Sequence, residues 1–316
     1  MLQSRVRFGR ARARATAAWI AGAFVALLVV FFTWLRFDDP VPRFAARRGQ
    51  VARVVRDGQT VEAGHRLEGV TLRSSSGMTV AMLIKRPLSE TPAPLVVVLG
   101  GHATGRDAAL LIPDTQGRVV VALSYPYLGP HRMKGLEVLR WAPDIRQALV
   151  DTPPAIQLAL DWLLQQPWVN PREVHGIGAS LGTPFMVVAA ARDQRITHLW
   201  SVHGAGRSRD LLTHNAKANV PAVLAPLAGF LADIIVAGPW LTPERWVAQV
   251  APRPFTMLNA IDDEKLPRAD IEALYAAARH PKSLTWFPGG HMLRSRPEVV
   301  RALVTTVLDR MRTGAS

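Results

Sequence analysis

The 316-residue chain contains no cysteine. That excludes disulfides, thiol catalysis and cysteine-ligated metal, and it leaves the redox compartment open. Acidic residues are scarce, 24 against 38 lysines and arginines, for a net charge of +14. Such an excess raises nucleic acid as a partner, but its distribution argues against one. Residues 1–56 hold eleven arginines against Asp38 and Asp39, a balance of +9, so the remaining 260 residues carry only +5. The body lacks the long basic stripe interleaved with aromatics that a nucleic-acid binder needs. No His-Glu-x-x-His or other convincing ligand pair occurs among His175, His198, His203, His214 and His280, so no metal is expected. No Gly-Lys-Ser/Thr follows the glycines at 100, 101 and 105, which argues against a phosphate cradle. Apolar residues make up 49% of the chain, too many for a disordered one.

One long run without charge stands out. Five arginines precede residues 17–35, nineteen residues that contain none. As a helix this segment spans about 28 Å, close to the hydrocarbon thickness of a bilayer. Trp19 and Trp34 lie near its ends, where amphipathic rings prefer the interface. The expectation is a basic cytoplasmic tail at 1–16, a transmembrane helix at 17–35 and a linker at 36–66. The arginine excess orients the N-terminus inward and puts the body on the periplasmic face of a bacterial inner membrane. Secretion after cleavage of a signal peptide is the competing reading. It ranks second because the run is longer than a usual signal core, and residues 32–36 offer no small-x-small site.

Beyond residue 66 strands and helices alternate. Residues 67–73 and 78–85 read as an antiparallel pair at one edge, separated by the turn residues Ser76-Gly77. Residues 95–99 and 119–123 are continuous apolar runs, as in central parallel strands. Further strands are expected at 172–177, 196–202, 255–260 and 283–287, with helices at 153–165, 183–191, 269–278 and 297–311. This alternation is the signature of a mostly parallel sheet with helices on both faces. Residues 207–250 interrupt it and are expected to form a short helical cap with an apolar side toward the substrate.

The informative motif is Gly178-Ala179-Ser180-Leu181-Gly182, between a short buried strand and an apolar helix. In G-x-S-x-G a serine on a sharp strand-to-helix turn presents its hydroxyl above the sheet. The first glycine relieves crowding at the turn, and the second lets the helix approach closely. A serine hydroxyl is a weak nucleophile until an imidazole takes its proton. His291, in Pro288-Gly289-Gly290-His291-Met292 after the last expected strand, fits that role. A carboxylate must then orient the ring, and Asp262-Asp263 follows the preceding strand. His203, Tyr125 and Tyr127 follow expected strands and are candidates to line the substrate pocket.

Over about residues 67–311 these motifs resemble the α/β-hydrolase superfamily, particularly its dienelactone-hydrolase-like and acyl-peptidase-like branches. The order Ser180, Asp263, His291 matches the family's order of nucleophile, acid and histidine. Asp263-Glu264-Lys265-Leu266-Pro267 matches a family register of aspartate, two variable residues, an aliphatic and proline, so the resemblance favours Asp263 over Asp262. It implies an oxyanion hole from the backbone amides of Leu181 and His102. Relatives often carry His-Gly where this chain has Gly100-Gly101, a departure that leaves a backbone donor intact. The implied function is a membrane-anchored serine hydrolase acting on carboxylic esters, the substrate a small molecule of lipid-like character, with no cofactor. A serine peptidase or amidase is the nearest alternative, and a noncatalytic binding or envelope-structural protein on the same scaffold is the other.

Overall fold

A computed structural model describes residues 2–101, 104–130, 137–293 and 295–313 of the protein. The chain divides into two units, Met1–Asp39 and Pro40–Ser316. The first is one helix, α1 (Leu2–Phe37). Arg10 to Ala15 alternates two strong helix formers, which continues the helix through the basic stretch. Within it Ala18–Phe37 is long and apolar enough to cross a membrane, a property that signal sequences share.

In the second unit, nine strands form one sheet among the described residues. They are β1 (Val51–Glu62), β2 (His65–Ser74), β3 (Thr79–Pro87), β4 (Ala93–Leu99), β5 (Val119–Leu123), β6 (Val169–Ala179), β7 (His198–Val202), β8 (Phe255–Ala260) and β9 (Lys282–Phe287). Their order is β1-β2-β3-β5-β4-β6-β7-β8-β9. The β1–β2, β2–β3 and β3–β5 pairs are antiparallel, and every pair from β5 to β9 is parallel. The helices are α2 (Phe44–Arg48), α3 (Glu137–Leu163), α4 (Gly182–Arg192), α5 (Ser208–Ala216), α6 (Ala225–Ile235), α7 (Gly238–Leu241), α8 (Arg268–Ala277) and α9 (Pro297–Thr313).

The expected linker at 36–66 is corrected by α2 and β1. β1 is an edge strand with almost every residue exposed, so it shows none of the apolar alternation by which a half-buried strand is read. Its partner fixes it instead. A two-residue turn at Ala63-Gly64, both with positive φ (46° and 75°), joins it to β2. That is the geometry of the primed hairpin turns, here without the usual Asn-Gly or Asp-Gly signal. The arginines of the lead-in also have a structural use. Arg47 forks onto Asp151, and Arg48 onto Asp161, both on α3, while Phe44 is buried in the core. The expected helix at 153–165 is likewise longer, because α3 runs through Pro143, Pro153 and Pro154 rather than beginning at the last two.

Side chains of β4 alternate between two apolar layers. Leu95, Val97 and Leu99 pack with α3 and α4, through residues such as Ile156, Leu160 and Phe185. Val96 and Val98 point to the other face, toward Leu303, Val307 and Leu308 of α9 and the 3-10 segment Gly105–Leu111. The C-terminal ends of β4, β6, β8 and β9 therefore converge at one edge of the sheet, and the loops that leave them carry the site.

Candidate active site

Ser180 lies between the end of β6 and the start of α4, with φ at 52°, in the left-handed region that a residue with a side chain rarely adopts. Its amide donates to the Val202 carbonyl (2.9 Å) and its carbonyl accepts from the Thr183 amide (3.0 Å), so both neighbours hold the bend. The motif glycines are needed for contact. A Cβ at Gly178 would come within 2.7 Å of the Thr183 Cα, and one at Gly182 would collide with the Leu99 carbonyl oxygen of β4. Leu181 is the residue ahead of the first turn of α4, and Gly101 borders Ser180 from the loop after β4. His102 lies outside the described residues.

The Ser180 hydroxyl lies 2.9 Å from the His291 Nε2. Across that ring, Nδ1 donates to both Asp263 oxygens, at 3.0 and 2.8 Å. Asp262 is exposed, and its amide instead donates to the Gly289 carbonyl at 3.1 Å, which zips the loop after β8 to the loop after β9. Glu264 adds a second strap that the sequence did not announce. Its carboxylate accepts the His291 amide at 2.8 Å and pairs with Arg296 at 3.0 Å, while Arg296 also donates to the His291 carbonyl. The hydrogen bond from the His291 amide holds the Glu264 carboxyl below its usual range.

Asp263 has a further partner. His203, at the end of β7 with φ at 50°, donates from Nδ1 to Asp263 Oδ2 at 2.8 Å. Its ring is fully buried, and its Nε2 has no hydrogen-bond partner among the described residues. The two histidine rings meet edge-on, 5.0 Å apart. Asp263 also accepts the amides of Lys265 and Leu266, both at 2.9 Å. Burial opposes ionisation of this carboxyl, yet the donors from His203 and His291 outweigh it and hold it well below the usual carboxylate range. By distance His203, Asp263 and His291 could also surround a cation, their ligand atoms lying within 4.8 Å of one another. Both imidazoles aim an N–H at the carboxylate, however, and a cation there would displace those protons and break the chain to Ser180.

Ser180 and His291 border a cavity of about 290 Å³. Its walls come from β4, β6, β7, the 3-10 segment and α9. No residue of the expected cap, 207–250, lines it. There α5 and α6 pack together, Gly229 onto Thr213, while Val223, Leu224 and Leu227 stay exposed, and His214 and Asn215 reach the backbone of the loop that carries Asp263. The expected pocket residues are also placed differently. His203 stands behind Asp263, outside the cavity lining. Tyr125 donates its hydroxyl to the Gly100 carbonyl at 2.8 Å and braces that loop from behind, and burial pushes the phenol pKa up. Tyr127 lines a separate cavity with Trp141 and Asp144.

No known family profile matches the chain. Over 134 residues it is 28% identical to the uncharacterized protein YfhR of Salmonella typhi, and at the same identity to its Salmonella typhimurium counterpart. Each match covers 42% of this chain and 44% of the relative, so the chain spans less than half the length of the curated relatives it matches. Among solved structures, it is similar to an acetyl xylan esterase from a Paenibacillus species, with TM-score 0.61 and 14% identity over 87% of this chain and 98% of that one. An acetyl xylan esterase 1 from a Thermoanaerobacterium species gives 0.60 and 13%, over 85% and 94%. A cold-adapted esterase from an Arctic intertidal metagenomic library gives 0.56 and 18%, over 80% and 97%. This likeness extends to esterases of several kinds and does not single out the dienelactone-hydrolase-like or acyl-peptidase-like branch. With its mixed central sheet flanked by helices, the chain has the α/β-hydrolase fold.

Proposed function

We propose that the protein is a serine hydrolase of carboxylic esters, anchored to the membrane by α1 with its body outside the cytoplasm. The observation that carries this reading is the unbroken chain from the Ser180 hydroxyl through His291 to Asp263, on a serine held at positive φ. In the first step Ser180 Oγ attacks the ester carbonyl while His291 Nε2 takes its proton. Asp263 accepts from Nδ1–H throughout, which fixes the tautomer and stabilises the imidazolium. The Leu181 amide, at the head of α4, donates to the oxyanion. His291 then protonates the departing alcohol. Water, deprotonated by the same nitrogen, releases the acid from Ser180. His203 is a positioning residue here, since it touches the carboxylate and not the reacting atoms. The esterases among the similar structures support an ester over an amide. The uncharged length of α1 and the arginines before it support the anchor and its direction.

One experiment addresses enzyme and anchor together. A fluorophosphonate probe should label a full-length band that stays with carbonate-washed membranes. Ser180→Ala should abolish the label and reduce ester turnover by roughly 10⁴-fold while the fold is kept. An unlabelled but folded wild type would end the hydrolase reading, and a labelled soluble product that begins near residue 36 would end the anchor.

A further inference from the structure

We infer that the cavity opening at Ser180 is an acyl-chain chamber, and that the substrate is an ester whose acid part is an unbranched chain of medium length. This rests on the hydrolase reading above and goes further by naming the substrate class.

The chamber is walled by the thinner layer of the fold. On α9, Val300, Leu303, Val304, Val307 and Leu308 face it at spacings of three, four, seven and eight residues. That is a single helical stripe, and eight residues of rise extend it over about 12 Å. Opposite stand Val98, Ile177 and Val202, residues of β4, β6 and β7. Ala108, Leu111 and Ile112, from the 3-10 segment and its end, form the third side. Among the described lining residues, only Thr104, Ser180 and His291 have polar side chains, and the Thr104 hydroxyl is already donated to the Gly101 carbonyl at 2.9 Å.

Water would fill such a space badly, because each molecule needs two to four polar partners and the polar groups lie at the serine end. A hydrocarbon chain needs none. At about 30 Å³ per water-sized group, 290 Å³ holds roughly eight to ten such groups. Which half of the ester enters follows from the two-step chemistry. The acyl part stays bonded to Ser180 through both steps, whereas the alcohol leaves between them. A walled apolar recess beside the nucleophile suits the part that stays. Val304 is the residue to vary, because it belongs to the stripe, lines the chamber and is only half-buried.

The test is a series of p-nitrophenyl esters from acetyl to hexadecanoyl, on wild type, Val304→Trp and Thr305→Trp. Thr305 lies on the exposed side of α9. In wild type kcat/KM should rise by roughly fourfold per added methylene, then stop once the chamber is full. Val304→Trp should lower the ratio of longer-chain to acetyl kcat/KM by at least tenfold, and Thr305→Trp should keep the wild-type profile. A flat wild-type profile with acetyl ester turned over would overturn the chamber and leave the hydrolase standing. If Val304→Trp does not fold, the wild-type series still decides. Binding of straight-chain alcohols from butanol to decanol to Ser180→Ala separates the two ideas when no ester is cleaved. Affinity that climbs with chain length supports the chamber even if the enzyme reading fails, and affinity independent of length overturns it.

Discussion

On one face of the sheet, Ile156 and Leu160 of α3 and Phe185 and Val188 of α4 meet Leu95, Val97 and Leu99, and none of these seven is more than 3% exposed. On the other face, Val96 and Val98 of the same strand meet α9 and a 3-10 segment, and a space of about 290 Å³ stays unfilled. The strand is equally apolar on both sides. What differs is the cover, two helices against one helix and a 3-10 segment. An interior at ordinary packing density is rigid and stable but leaves no room for a ligand. The fold separates the two tasks by face, and the nucleophile stands at the edge where both begin.

Breaking the comparison starts with the closed side. Leu160→Ala leaves a hole among side chains that cannot move in, and should cost about 2–5 kcal/mol in denaturant unfolding of the full chain in detergent. Leu303→Ala removes a residue that already borders empty space and should cost less, about 1–2 kcal/mol. Equal costs would mean that the two faces are packed alike.

The next effect is at the edge. His203→Leu removes one donor from Asp263 and should lower kcat by roughly tenfold to a hundredfold, with little change in KM. His203→Asn, whose amide can still donate to Asp263, should recover most of the loss. A loss of kcat that His203→Asn does not recover would reduce His203 to packing.

A change per pH unit smaller than these sharpens the comparison on the cavity side alone. Below the chamber, His198 stacks on Trp200 at 4.3 Å, and Trp200 donates to His175 at 3.1 Å. Burial, and then the neighbouring His175, push the His198 pKa down to about 3. The unfolded chain binds that proton near pH 6.5, so this contribution to stability is intact above 6.5 and is lost as pH falls toward 3. Thermal unfolding should show a slope below about 1.4 kcal/mol per pH unit from this group, and His198→Phe should flatten it. An unaltered slope would place the titration elsewhere.

The sequence exposed those parts that chemistry or periodicity makes distinctive. Buried parallel strands are unbroken apolar runs, and β5 spans the same residues as its expectation. Ser180, Asp263 and His291 are reactive residue types at strand ends, and the structure brings them within hydrogen-bond reach. His203 carried that mark but not its role, and Glu264 carried neither. Each acts across loops that meet only after the sheet is formed, so no spacing along the chain predicts the contact. The wall on α9 was hidden for another reason, since a stripe at three and four looks the same whether it faces a core or a hole. The apolar composition of 207–250 does not say which surface its side chains face, and Val223, Leu224 and Leu227 are exposed and outside the cavity lining.

Strand β1 has a consequence for where the body can be separated from α1. A cut at Leu67, the boundary that hydrophobic patterning suggests, would remove a whole strand, the Phe44 anchor and both arginine forks. β2 would then be the outermost strand, its ladder of amides and carbonyls open to the first extended chain it met. Unlike β1, it holds mostly buried residues, and uncovering them invites self-association. The compact body begins at Pro40, and the segment that looks like a tether protects its flank.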